Sequence, residues 1–374
     1  MAQSTPTSWP YANGSMNSSE PLPLLPEELT PAWFTKTLGV KVTDSVIRDV
    51  IHGTSGKVLV ELTYEASAAI DSPPKRLCVK GGFNPVIRTA YPTMLATYRR
   101  EAEFYYYIAP ATSMRLPKTY YAGTDTVNGQ GVEIISDLKD DGCTFGDPHI
   151  TWPVDRVLAG VEQLALLHAK TWGKEKEFPW LASQGGTGTS PVRAMILGML
   201  QPEAWAVRFA KENVPPVHQK LIDRERVLAT YEALWKTTDP RYLSVIHGDS
   251  HIGNTYITAD GQPGFIDWQG LHYGSVFHDI SYFVTSCLAI EGRRKSEENI
   301  LEHYLESLHR AGGPKISKED AWKEYQKHIF HGFMWALSPL KFQPEDVVAA
   351  MSERFSAAII DHDILKLLED AAKN

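Results

Sequence analysis

The sequence predicts an α+β protein of two lobes, a small β-rich amino-terminal lobe and a larger, mainly helical carboxy-terminal lobe. Three observations carry this. Residues 40–138 read as short strands broken by glycine turns, with one helix among them. From residue 152 onward the apolar residues recur at helical spacing. A short hairpin-like stretch at 245–270 interrupts that helical half. The predicted division is a disordered tail over 1–22, the β-rich lobe over 23–138 and the helical lobe over 139–374.

The tail is rich in Ser, Pro, Asn and Gly and has little to bury. Order is expected to begin at "LTPAWFTKTLGV", where Thr30 can cap a helix, Pro31 suits its first position and Gly39 can end it. "DSVIRDVI" and "KVLVELTYEA" flank the turn Gly53-Thr54-Ser55-Gly56, and "PPKRLCVKGG" offers a third strand ending at Lys80. "TMLATYRREAEFYYYIAP" has helical spacing and stops before Pro110. "TYYAGTDT" and "GVEIISDL" form a hairpin about Asn128-Gly129.

The helical half opens with "WPVDRVLAGVEQLALLHAKTWG", whose apolar stripe includes His168, read as a satisfied core histidine. Further helices are predicted over 190–214, 216–236, 275–291, 296–311, 318–337 and 344–371. Within 245–270, "NTYIT" and "PGFID" are strand candidates joined by a turn containing Asp260-Gly261.

Bulk properties exclude several classes. The chain has 374 residues and a net charge of −8, with no clustered basic stripe, which argues against nucleic acid as the partner. Cys78, Cys143 and Cys287 are too sparse for a disulfide framework or a cysteine zinc site. No apolar run is long enough to span a membrane, and the amino terminus lacks the basic and apolar regions of a secretory signal, so a cytoplasmic protein is expected.

The hairpin stretch concentrates the chemistry. Its two ends bring Asp249 and Asn254 together with Asp267, three oxygen-bearing side chains of the kind Mg²⁺ prefers. His247-Gly248-Asp249 followed by Asn254 has the H-x-D-x-x-x-x-N spacing of kinase catalytic loops, with Asp267-Trp268-Gln269 where those proteins place D-F-G. In that scheme Asp249 takes or orients a hydroxyl proton, while Asn254 and Asp267 hold Mg²⁺ against nucleotide phosphates. His247 reads as a loop support, His251 as either a loop support or a contact to phosphate or metal-bound water, and Asp279 as a helix cap or loop brace. A metallohydrolase would need a Gly-Asn-His segment, but Thr255 follows Gly253-Asn254.

Upstream, Lys80 could contact nucleotide phosphates, with Glu101 as its helix partner and Glu103 the competing choice. The turn Gly53–Gly56 would let backbone approach phosphate, and the connector around Ile135 and Asp137 would offer backbone groups to an adenine ring.

"HGDSHIGN", "FIDWQ", "HDISYF", "LALLHAKTW", "REAEFYYY" and "ISDL" together resemble the aminoglycoside phosphotransferase/choline kinase-like family of small-molecule kinases. The resemblance spans roughly residues 50–285; its local wording is closest to the phosphotransferase enzyme family branch, near the ecdysteroid kinase-like branch. It implies a protein kinase-like fold and transfer of phosphate from ATP, with Mg²⁺, to a hydroxyl of a small molecule. Asp249 is then the base, Asn254 and Asp267 the metal ligands, Lys80 the nucleotide lysine and Glu101 its partner. Ser250 and Ser136 depart from relatives, which often carry a large apolar residue and Glu there. The apolar segment "HIFHGFMWALSPL", with His331, Phe333 and Trp335, suggests a pocket for a rather apolar alcohol. Two other outcomes share the fold: a lyase or cyclase that uses a transient phosphate, and a nucleotide-binding protein without turnover.

Overall fold

Alternation in "VLVEL" turns Val58, Val60 and Leu62 to one side of a strand, and all three are fully buried. They belong to a five-stranded antiparallel sheet in the computed structural model of the chain. The structure describes residue 18 and residues 21–65, 73–92, 95–178, 180–181, 191–339 and 343–373. Apart from Ser18, Pro21 and Leu22, the expected tail lies outside the described residues. The chain divides into two units, one of Met1–Thr144 with Thr258–Gly261 and Ile266–Leu271, the other of Phe145–Ile257 with Gln262–Phe265 and His272–Asn374.

In the first unit the strands are β1 (Val42–Ile51), β2 (Gly56–Tyr64), β3 (Arg76–Gly81), β4 (Thr119–Asp125) and β5 (Gln130–Ser136), in the order β1-β2-β3-β5-β4. Helix α1 (Pro31–Leu38) starts at Thr30, whose hydroxyl accepts from Trp33 N, and ends at left-handed Gly39. Phe34 of α1 and Leu22 join the sheet core. A helix absent from the sequence reading, α2 (Pro85–Ala90), begins where Asn84 caps the amides of Val86 and Ile87. Helix α3 (Leu95–Glu103) packs on β5 and continues as one π-helical turn, Phe104–Ile108. A two-residue strand, β6 (Thr144–Phe145), follows.

The second unit is mainly helical, but its β content exceeds the expectation. Leu243–Ile246 (β7) pairs antiparallel with His272–Ser275 (β10), and Thr255–Ile257 (β8) with Pro263–Phe265 (β9). The predicted 190–214 helix is two, α5 (Pro191–Met199) and α6 (Pro202–Arg208), because Pro202 cannot continue the first. Helix α7 (Arg224–Lys236) starts late, at the Asp223 cap. Helices α8 (Val276–Cys287) and α9 (Ile290–Arg310) break at Leu288–Ala289, where the Cys287 carbonyl accepts from Trp152 N at 2.7 Å. The 318–337 segment is α10 (Lys318–Ile329), a 3₁₀ turn at Phe330–Phe333, and α11 (Met334–Leu337). The last expected helix splits into α12 (Glu345–Asp361) and α13 (Ile364–Ala371) around left-handed Asp363. Every residue of α8 is buried, with α4 (Val154–Thr171), α9, α10 and α12 packed against it. Among the described residues no helix is long and apolar enough to cross a membrane.

Candidate active site

In the first unit, the β-sheet register sets one cluster. Lys80 on β3 stands opposite Glu133 on β5, and its Nζ reaches Glu101 of α3 at 2.6 Å and Asp267 at 3.1 Å. Glu103, one helix face away, binds Arg99 at 3.3 Å instead. Lys80, Glu101 and Glu133 are almost wholly buried. Burial alone would drive the ammonium neutral, but the carboxylates of Asp267, Glu101 and Glu133 outweigh it and hold Lys80 charged. Burial raises both Glu101 and Glu133, and the Glu101 carboxylate raises Glu133 further.

Asp267 is one of two non-glycine residues with positive φ among the described residues, at 69°. Aspartate tolerates this conformation better than most side chains. The next residue fixes the turn: Trp268 N donates to Glu101 Oε1 at 3.2 Å, and its indole stacks on Phe104 at 3.7 Å. In the Gly53–Gly56 turn, Thr54 O accepts from Tyr98 OH at 2.9 Å, and the buried Ser55 hydroxyl has no hydrogen-bond partner. Ile135 is buried on β5, and Asp137 just beyond it accepts from Lys139 N.

In the second unit, the loop after β7 is held from inside. The Asp279 carboxylate, fully buried on α8, accepts from His247 N at 2.7 Å, Gly248 N at 3.0 Å and His168 Nε2 at 3.2 Å. His168 Nδ1 in turn accepts from Tyr304 OH. Burial opposes charge on Asp279, but the His168 bond and the nearby imidazoles keep it far below the usual carboxylate range. Asp279 is therefore the loop brace and not a helix cap. The Ser250 hydroxyl donates to the Asp279 carbonyl at 3.0 Å.

Asp249 is held at both flanks. Its backbone N donates to His247 Nδ1, which leaves the His247 proton on Nε2. Asn254 Nδ2 donates to both the carbonyl and Oδ2 of Asp249, at 2.8 and 2.9 Å. His251 Nδ1 accepts from Gly253 N, and its Nε2 lies 3.8 Å from Asp249 Oδ2. Trp335 meets the His251 ring edge-on at 5.0 Å, whereas Phe333 stacks on Phe330 in the core.

Residues 57–312 match the model of the ecdysteroid kinase-like family, well over half of the chain. The chain belongs to the ecdysteroid kinase-like family. That family is one of kinase-like phosphotransferases. An uncharacterized oxidoreductase of Caenorhabditis elegans, dhs-27, is 21% identical over 324 residues, 77% of this chain; the match spans only 38% of that relative's length. Among solved structures, an ethanolamine kinase of Plasmodium vivax aligns at 14% identity, covering 84% of this chain and 81% of its own, with a TM-score of 0.48. Choline kinase LicA from Streptococcus pneumoniae aligns at 13% identity over 90% and 99% of the two chains, with a TM-score of 0.48. The GDP complex of aminoglycoside 2'-phosphotransferase-IIIa aligns at 12% identity over 91% and 96%, with a TM-score of 0.46.

Each unit of this ecdysteroid kinase-like chain carries donors of the kind a nucleotide or a hard divalent cation takes. Asn254 commits its amide nitrogen to Asp249, which leaves the amide oxygen as the available donor. Asp267 offers a carboxylate that is about a quarter exposed. The orphaned Ser55 hydroxyl in a glycine turn suits a phosphate oxygen. Glu133 takes part in these clusters with no local signal to mark it, whereas the sequence already offers Asp279 as a loop brace. The signal for Asp279 is the "HD" pair in the first turns of an apolar helix.

Proposed function

We propose that this chain transfers the γ-phosphoryl group of ATP, with Mg²⁺, to a hydroxyl of a small, rather apolar alcohol. The observation that supports this best is the Lys80–Glu101–Asp267 cluster, at 2.6 and 3.1 Å, in a chain of this family. Lys80 would hold nucleotide phosphates, with Glu101 fixing its ammonium and Gly53–Gly56 lying along the phosphates. Ile135 and Asp137 would present backbone groups to the base. Bound Mg²⁺ would neutralise charge on the phosphate oxygens, held by Asn254 and Asp267.

Asp249 would orient the acceptor hydroxyl and take its proton as the new oxygen–phosphorus bond forms and the bond to the β-phosphate oxygen breaks. His247 and His251 keep the loop in shape around that carboxylate. The net charge of −8 and the absence of a basic stripe favour a small-molecule partner over nucleic acid.

The test incubates the chain with MgATP and a panel of alcohols and reads products by mass. The expected result is an acceptor carrying one added phosphoryl group, lost in a folded Asp249→Asn variant that still binds MgATP. Wild-type rates in that variant would remove Asp249 from its role. ADP with free phosphate and a dehydrated product would instead indicate a lyase or cyclase.

A further inference from the structure

A cavity of about 240 Å³ lies within the helical unit. Its apolar wall includes Ile196, Leu234 and Trp235, and its polar wall carries His272, His278, His328 and His331. Four histidines on one cavity are unusual for an apolar core, and two of them have ring atoms left over. His328 and His331 are 5% and 3% exposed, and both ring nitrogens of the first and Nε2 of the second have no hydrogen-bond partner. The buried Ser275 hydroxyl on the same wall also lacks one. Leaving such buried groups unmatched costs about 1–3 kcal/mol each, so a bound molecule that supplies partners gains directly.

The charge of the lining narrows the chemistry. No Asp or Glu lines the cavity among the described residues. Glu324, 3.9 Å from His328 Nε2, is already paired with Lys327 at 2.6 Å. Arg193, the one charged lining residue among the described residues, lies over the Trp235 ring at 4.5 Å. Burial keeps the His278, His328 and His331 imidazoles uncharged near neutral pH, so each can both give and accept a hydrogen bond.

The cavity also touches the catalytic loop. His278 Nε2 donates to the carbonyl of Gly248 at 3.3 Å, and Gly248 directly precedes Asp249. At the packing density of protein interiors, this volume holds roughly ten to twelve non-hydrogen atoms.

We infer that this cavity is a binding site for an uncharged alcohol, which seats its carbon skeleton on Ile196, Leu234 and Trp235 and hydrogen-bonds to His328 and His331. The site rests on the phosphotransferase reading only for what happens to the hydroxyl; its selection of neutral over cationic molecules stands on the lining alone. Small cationic alcohols are disfavoured because the described lining offers Arg193 and no carboxylate.

Calorimetric titration of the unaltered chain tests this without any variant, using 4-phenyl-1-butanol and other neutral alcohols of similar size, their analogues lacking the hydroxyl, and choline. Saturable binding of neutral alcohols is expected, weakened about tenfold without the hydroxyl, with none for choline. Ile196→Trp, which fills the cavity, and His331→Ala, which empties one wall, should each weaken alcohol binding about tenfold while MgATP binding is kept. Choline binding more tightly than every neutral alcohol, or alcohol affinity unmoved in both folded variants, would overturn the inference. Cavity-dependent binding with no ATP-dependent phosphorylated product would keep this site and remove the phosphotransferase reading. A phosphorylated product whose acceptor KM neither variant moves would do the reverse.

Discussion

Lys80 shows how much of a single residue's role lies outside its own neighbourhood in the chain. Its place at a strand end before a Glu-bearing helix is local, and so is the choice between Glu101 and Glu103 once helix faces are considered. Glu133 is different. All of β5 is buried, so no alternation marks one of its faces as special, and only the β3–β5 register brings Glu133 opposite Lys80. Replacing Lys80 by Met leaves two buried carboxyls without their cation, though a proton can settle on them. The expected loss is about 3–5 kcal/mol in stability and about 10²–10³-fold in phosphoryl transfer. Urea unfolding and steady-state kinetics in MgATP check the two separately. Unchanged kcat/KM would show that Lys80 does not contact the nucleotide.

At the scale of elements, local chemistry named the helices and long-range packing set where they end. Thr30, Pro31 and Gly39 bound α1 as their types suggest, and Asn84-Pro85 was an equally local signal for α2 that apolar periodicity alone did not raise. Strand β10 carries only four residues, too few for a pattern, and it exists because β7 pairs with it. The break between α8 and α9 likewise depends on Trp152, far away in the chain. Packing also fixes residue size. A Cβ on Gly160 of α4 would lie 2.3 Å from Phe283 Cζ of α8, so the two helices meet at a bare backbone. Gly160→Val should cost about 1–3 kcal/mol or more, and Gly160→Ala less. Adding Phe283→Leu should return part of the loss, a coupling visible in a denaturant double-mutant cycle. Strict additivity of the two changes would show that the helices do not meet there.

For the whole molecule, the buried histidines make stability depend on pH in a calculable direction. Burial, with His272 and His328 nearby, pushes His331 down to about 3, while an unfolded histidine titrates near 6.5. The folded pKa is the lower one, so the unfolded chain binds the extra proton. Stability from this group is full above about pH 6.5 and is lost as pH falls toward about 3. His278 and His328 are depressed by burial in the same sense. Glu101 and Glu133, raised by burial, act the other way, since the folded chain holds protons there that the unfolded chain releases. The total slope is therefore a difference, and one replacement isolates the His331 part. Between about pH 7.5 and about pH 5 the wild type should lose about 2 kcal/mol more stability than His331→Asn does, because Asn has no proton to gain. Denaturant titrations of both proteins at the two pH values give that difference directly. Equal losses would mean that His331 takes up its proton in the folded chain without penalty, and would deprive the cavity of its neutral wall.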